Sequence, residues 1–153
     1  MLALVLSGGA AAEPSSDVTA KLTRVLSAKD AVPCAQVFSL GEAAAVRDAL
    51  ISLADSDVRP SWVPVRAAHC VVGVAHKDAV ALEAVDRWLA PGAPPGFAVV
   101  VASELDGFEE AEAVRLGRRL IDRTSADAHL TRWVKPYLAS SKHDQVSALL
   151  PSE

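Results

Sequence analysis

The chain has 153 residues, of which 51% are hydrophobic and only 5% aromatic, and its formal net charge is −4. This length is enough for one domain with a buried core, and the abundance of Ala and Val favours closely packed helices. The acidic balance argues against a dedicated nucleic-acid-binding protein, which needs clustered Lys and Arg. Since no run of about 18 apolar residues occurs, the sequence predicts no membrane-spanning helix.

The first 14 residues have two interpretations. Leu2–Leu6, a Ser-Gly-Gly break and Ala10–Ala12 match the back half of a signal peptide with a small-residue cleavage site, although the basic front is missing. The alternative is a disordered tail. We therefore expect residues 1–14 to be a truncated signal peptide or a tail, and residues 15–150 to form a single domain. The first interpretation predicts export to the periplasm or the exterior; the second predicts a cytoplasmic protein.

Prolines recur at a constant interval along the chain. Pro33, Pro64 and Pro95 are 31 residues apart, and each stands at the start of an apolar segment. A proline in the first turn of a helix loses no hydrogen bond, and a glycine after the last turn can close it in the left-handed conformation. The segments predicted as first helices on this basis are Pro33–Gly41, Pro64–Gly73 and Pro95–Gly107.

A more polar stretch with helical periodicity follows each apolar segment. These stretches predict second helices over 42–54, 77–90 and 108–123. Further helices are predicted over 18–28, 126–139 and 143–150. Pairs of one apolar and one amphipathic helix cannot bury their apolar faces alone, so they must stack. The sequence therefore predicts an all-α fold, a short right-handed α-solenoid of about three stacked helix pairs with helical extensions at both ends.

The segment 53–73 resembles a HEAT repeat. It has an acidic turn (55–57), the pair Val65-Arg66 and an Ala-rich first helix that ends at Gly73. In pattern the resemblance covers residues 33–123, but Pro33-Cys34 and Pro95-Gly96 depart from it. An armadillo-like or irregular helical array is the alternative. In such a stack we expect Arg66, a charge near the start of an apolar helix, to pair with Asp55 or Asp57.

Stacking would bring charged residues of the second helices onto one ridge, on the face that solenoids commonly use for partners. The candidate partner-binding residues are Arg47, Asp86, Arg87, Arg115, Arg118, Arg119 and Asp122. The alternative is an ordinary solvated face with salt bridges. Candidate aromatic anchors are Trp62, Trp133 and Tyr137, whereas Trp88 falls on the core stripe.

Cys34 and Cys70 lie in the first helices of adjacent predicted units and are candidates for a disulfide in an exported protein. The alternative is two buried thiols. Counted from the closing glycines, the two cysteines are about one turn out of register, which argues against a bond.

The residues suited to catalysis or metal binding do not occur at the sequence spacings that are typical of such sites. His69 and Cys70 are adjacent on a helix and point about 100° apart, so they cannot face one site. Neither a His-Glu-x-x-His or Cys-x-x-Cys spacing nor a phosphate-binding Gly-rich loop occurs. We therefore predict no enzyme activity, no metal and no cofactor. The predicted function is non-catalytic binding of an unidentified protein or peptide. The alternative is a structural, self-associating subunit or a fragment of a longer repeat array.

Overall fold

The computed structural model describes residues 16–152, and within them the chain forms α-helices and one 3-10 turn, without a β-strand. The helices are α1 (Ser16–Ser27), α2 (Cys34–Phe38), α3 (Ala43–Ala54), α4 (Trp62–Val74), α5 (Ala79–Trp88), α6 (Pro95–Ser103), α7 (Glu110–Thr124), α8 (Ala128–Ala139) and α9 (Asp144–Ser147). The 3-10 turn, Leu105–Gly107, lies between α6 and α7. The prediction of an all-helical chain is confirmed. The signal peptide or tail predicted at residues 1–14 lies outside the described residues.

Acidic side chains cap the N-termini of α3, α5 and α8. The Glu42 carboxylate accepts hydrogen bonds from two backbone N–H groups of α3, at 3.1 and 3.2 Å. Asp78 does the same for α5 at 3.0 and 3.2 Å, and Asp127 accepts one bond from α8 at 2.9 Å. A cap of this kind stabilises a helix by about 1 kcal/mol. Local sequence therefore fixes where these helices begin.

The glycines that were predicted to close the first helices do not adopt the left-handed conformation. Within residues 16–152 only Gly92 has a positive φ, of +89°. Gly73 lies inside α4, which continues to Val74. The helix ends instead in a tightened turn, because the N–H of Ala75 donates to the carbonyl of Val72 at 3.1 Å. The prediction of glycine-closed helices is wrong for Gly41, Gly73 and Gly107.

The helices form two packed layers. In layer A, made of α1, α4, α6 and α8, each helix packs against the next. In layer B, made of α3, α5 and α7, each helix packs against two consecutive helices of layer A. The short α9 packs against α7 and α8. None of the helices in residues 16–152 has the length and apolarity to cross a membrane.

The first helix pair differs from the predicted one. The segment Pro33–Gly41 was predicted to be the first helix of this pair, but α2 has only 5 residues and buries only Val37. Helix α1 takes that position instead and packs against both α3 and α4. It buries Leu22 and Leu26, which offer more apolar surface to the core than α2 does. Helix α2 is therefore an insertion that packs on α3 and α4.

Helix α4 is the centre of the core. It packs against five helices, α1, α2, α3, α5 and α6. Its buried side chains are small, and they are Val63, Ala67, Ala68, Cys70, Val71 and Val72. Small side chains allow neighbouring helix backbones to approach closely, so α4 can be covered by several helices at once.

Candidate binding surfaces

The charged residues predicted to form a partner-binding ridge lie mostly in ion pairs between helices of layer B. Arg47 on α3 pairs with Asp78, the N-cap of α5, at 3.1 Å, and with its neighbour Asp48 at 2.8 Å. Burial of Asp78 opposes its ionisation, but hydrogen bonds from the start of α5 and from Arg47 outweigh this effect and lower its pKa. This pair therefore fastens α3 to α5.

Asp86 is the centre of a second group of charges, between α5 and α7. Arg115 binds both Asp86 oxygens, at 2.8 and 3.0 Å, and Arg119 donates to the same carboxylate. Glu112 accepts a bond from Arg115 at 2.7 Å. Burial of Asp86 opposes ionisation, but the two arginines more than compensate, so the pKa of Asp86 is lowered. Hydrogen bonds from Arg115 to Asp86 and Glu112 in turn raise the pKa of Arg115.

The remaining ridge residues fall into two groups. Arg87 on α5 pairs with Asp55 at the end of α3, at 2.9 Å. Arg118 and Asp122 are exposed on α7, and their side chains make no hydrogen bond or ion pair with any residue in 16–152. The structure thus brings Asp86 together with Arg115 and Arg119, places Arg47 and Arg87 at two other contacts between helices, and leaves Arg118 and Asp122 exposed.

A disulfide joins Cys34, the first residue of α2, to Cys70 in α4, with their Cα atoms 5.2 Å apart. The register argument from the glycines fails here because α2 ends at Phe38. Gly41 therefore does not mark the end of the helix that carries Cys34. The bond fixes a short helix onto the central helix of the fold.

A groove with a volume of about 710 Å³ opens beside this disulfide. Its walls come from α2, the first turn of α3, the last turns of α4 and the turn that leads into α5. The apolar groups that line it are the disulfide, Ala35, Phe38, Ala43, Ala44 and Val74. This volume lies in the range of ligand-binding pockets, which are mostly apolar.

Four charged residues line the groove, and most of them already have partners. The four are Glu42, Arg47, Lys77 and Asp78. Glu42 and Asp78 cap helices, and Arg47 pairs with Asp78. Only the Lys77 side chain makes no ion pair or hydrogen bond within residues 16–152. In the same part of the chain, no three His, Cys, Asp or Glu side chains come together in a way that could hold a metal ion.

The aromatic residues divide as their positions in the helices predict. Trp88 is 3% exposed and packs against Phe97, with ring centroids 5.1 Å apart and the ring planes tilted by 45°. Trp62, Trp133 and Tyr137 are 45%, 58% and 42% exposed. All three lie on helices of layer A, whereas the charged residues lie on layer B.

The expected pairing of Arg66 with Asp55 or Asp57 is wrong. Arg66 donates to the carbonyls of Leu26, Ala28 and Lys29 at the end of α1, at 2.9, 2.6 and 3.2 Å. Its guanidinium also lies over the Trp62 ring, 5.7 Å from the centroid. Carbonyls at a helix end lack partners within the helix, so they are strong acceptors for a cation.

Sequence reasoning missed the groove, because the groove exists only through the shortness of α2 and its attachment to α4. One signal was present: Gly73 is a glycine inside a mostly apolar helix, and it is exposed and lines the groove. Comparison of the chain with protein-family models, with curated proteins and with solved structures gives no match. The geometry of the groove and of the exposed surfaces therefore provides the evidence on function.

Proposed function

We propose that the protein is a non-catalytic, HEAT-like helical repeat module, a short right-handed α-solenoid, that binds a protein or peptide segment. The packing of each layer-B helix against two consecutive layer-A helices supports this arrangement. The bonds between layer-B helices support it as well. Arg47–Asp78, Asp55–Arg87 and Asp86–Arg115 join residues 31, 32 and 29 positions apart, close to the 31-residue spacing of the prolines.

The groove beside the disulfide carries the proposal. Catalysis by proton transfer needs an acid or base that can exchange its proton with a substrate. In the groove, Glu42 and Asp78 are bound to helix N-termini and Arg47 is bound to Asp78. What remains for a ligand is an apolar floor, which the disulfide holds in place, with the Lys77 ammonium at its edge. A preformed apolar groove binds apolar side chains of a partner with little loss of conformational entropy.

Filling the groove tests the proposal. A Cβ atom added at Gly73 would meet no heavy atom within 4 Å, so Gly73→Trp fills the groove without disturbing the core. Peptides are first selected from a displayed random library on the wild-type protein. We expect Gly73→Trp to weaken the binding of these peptides at least about tenfold. The control variant is Ala20→Trp, at an exposed position of α1 outside the groove, and it should bind them like the wild type. Selection of no peptide, or equal binding by both variants, would contradict the proposal.

A second candidate function is self-association, in which the exposed Trp133 and Tyr137 on α8 of one copy contact a different surface of the next copy. Light scattering over a range of concentrations tests it, since a monomer at all concentrations would exclude this function. For localisation we propose export, which the Cys34–Cys70 disulfide supports because such bonds persist in oxidising compartments. N-terminal sequencing of the natural protein tests this, and an intact Met1 would contradict cleavage after Ala12.

A further inference from the structure

We propose that the exposed side of α8 is a second interaction surface, which binds an acidic protein segment with apolar side chains. This α8 surface consists of His129, Arg132, Trp133 and Tyr137. It shares no residue with the groove. The inference therefore goes beyond the proposed function and stands or fails separately from it.

The aromatic residues of the α8 surface are not used by the core. His129, Trp133 and Tyr137 are spaced four residues apart, which places them along one side of the helix. The core contacts of α8 are made by Leu130, Val134 and Leu138 instead. Trp133 is 58% and Tyr137 42% exposed. The His129 and Trp133 rings meet edge to face, with their centroids 6.4 Å apart. Trp, Tyr and Arg are the residue types that contribute most to binding energy at protein interfaces.

The charge of this surface identifies the class of partner. Helix α8 contains Arg132 and Lys135 and no acidic residue, and Lys142 follows it. The side chains of Arg132 and Lys142 are exposed and form no ion pair within residues 16–152. Two nearby carboxylates have other partners, since Asp127 caps α8 and Asp106 accepts bonds from Ser141 and from the backbone of Lys142, whereas Asp144 on α9 is exposed. A basic aromatic surface on a chain of net charge −4 is complementary to an acidic, apolar segment.

The same charges disfavour a symmetric contact with a second copy of the chain. A symmetric contact between two α8 surfaces would bring the same cations of both copies together with no acidic residue between them. Such like-charge contacts oppose association. A nucleic acid carries a charge at every nucleotide and needs a more extensive cluster of Lys and Arg than the α8 surface provides.

Binding of designed peptides to the full chain tests the proposal. The probes are fluorescent peptides with the same tryptophan and leucine anchors, and with glutamate, glutamine or lysine at the remaining positions. We expect the glutamate peptide to bind at least about tenfold more tightly than the glutamine peptide at low salt, and to lose this advantage at high salt. Trp133→Ser with Tyr137→Ser should weaken its binding at least about tenfold, and Arg132→Glu should remove the preference for acid.

Two control variants test whether the preference for the glutamate peptide belongs to the α8 surface and not to another part of the protein. Arg118→Glu changes an exposed, unpaired cation on α7 and should leave the preference unchanged. Gly73→Trp should also leave it unchanged, so failure of the groove proposal and failure of this one can be told apart. The proposal is overturned if the glutamate and glutamine peptides bind equally, or if Arg118→Glu acts like Arg132→Glu. Tighter binding of a single-stranded oligonucleotide, or a dimer that Trp133→Ser dissociates, would also overturn it.

Discussion

The indole nitrogen of Trp88 donates a hydrogen bond to the carboxylate of Asp55, 33 positions earlier in the chain, at 2.8 Å. Asp55 is the residue that ends α3, and its second oxygen accepts a bond from Arg87 at 2.9 Å. The ring of Trp88 in turn packs on Phe97 of α6. One carboxylate thus links the end of α3 to α5 and orients a buried ring against the next helix of layer A.

Asp55→Ala should therefore lower the free energy of unfolding by about 1 to 3 kcal/mol, because it leaves a buried indole N–H without an acceptor. Urea unfolding measures this. In a Trp88→Phe background, Asp55→Ala should lower the free energy of unfolding clearly less, since no indole N–H remains that needs an acceptor. Asp57→Ala, at an exposed position two residues on, is the control and should have little effect. Equal losses in the two backgrounds would show that the hydrogen bond contributes nothing.

Removal of the disulfide should act on stability and on the groove together. The bond closes a loop with a sequence separation of 36 residues, and the chain-entropy model gives a loss of about 3 to 4 kcal/mol when such a bond is removed. Helix α2 has 5 residues and buries only Val37, so it should detach from α4 once the bond is gone. We expect faster hydrogen exchange in residues 34–38 of a Cys34→Ala/Cys70→Ala variant, with residues 43–54 still protected.

Peptides that bind the groove should also lose affinity when the wild-type disulfide is reduced by a dithiol, because both cysteines and α2 line the groove. The double alanine variant provides the control, since the dithiol should not change its affinity further. Unchanged exchange in residues 34–38 after reduction would mean that α2 is held by its packing alone.

The contact between Asp86 and the two arginines should make stability depend on pH in the acidic range. Burial disfavours the ionised form of Asp86, but the bonds from Arg115 and Arg119 lower its pKa below the usual 3.8. A carboxyl with a lowered folded-state pKa contributes stability above its unfolded pKa of about 3.9, and this is lost as the pH falls through the folded-state value. Asp86→Asn should therefore cost about 1 kcal/mol at neutral pH, and the difference should vanish only as the pH falls through the lowered folded-state pKa of Asp86.

Chemical unfolding of the wild type and the variant across this pH range measures the effect. Asp122→Asn on α7 is the matched control, because the Asp122 side chain makes no ion pair within residues 16–152. It should leave stability unchanged at every pH. High salt should reduce the effect at Asp86, which is partly exposed. A constant difference between wild type and Asp86→Asn at all pH values would contradict the assignment.

The helices could be predicted because their apolar spacing and their caps are local features; the stretch 42–54 was predicted as a helix, and α3 spans Ala43–Ala54. The length of α2 could not be predicted, since it depends on how few residues of Pro33–Gly41 pack into the core. The groove depends on α2 and was therefore not predicted. The partners of Arg66 were missed for a related reason. Helical periodicity does not show that Asp55 is already bonded to Trp88 and Arg87, or that the free carbonyls of α1 lie within reach.

Two helical glycines should differ in how their replacement by alanine changes stability. Around Gly73 a Cβ atom would meet nothing within 4 Å, so Gly73→Ala removes the backbone freedom of glycine and should raise stability by up to about 1 kcal/mol. At Gly117, the Cβ would lie 3.0 Å from Cδ1 of Leu149 and 3.7 Å from Cγ1 of Val146. The gain in helix propensity is opposed there by displacement of Leu149.

We therefore expect Gly117→Ala to be less stable than Gly73→Ala, and the bulkier Gly117→Leu to push the segment around α9 away from α7, which it packs against. Thermal unfolding compares the alanine variants. Hydrogen exchange in residues 144–150 follows the displacement, with residues 43–54 as the internal reference. If Gly117→Leu leaves exchange in residues 144–150 at the wild-type rate, Leu149 and Val146 move aside at no cost, and the close approach at Gly117 does not hold α9 in place.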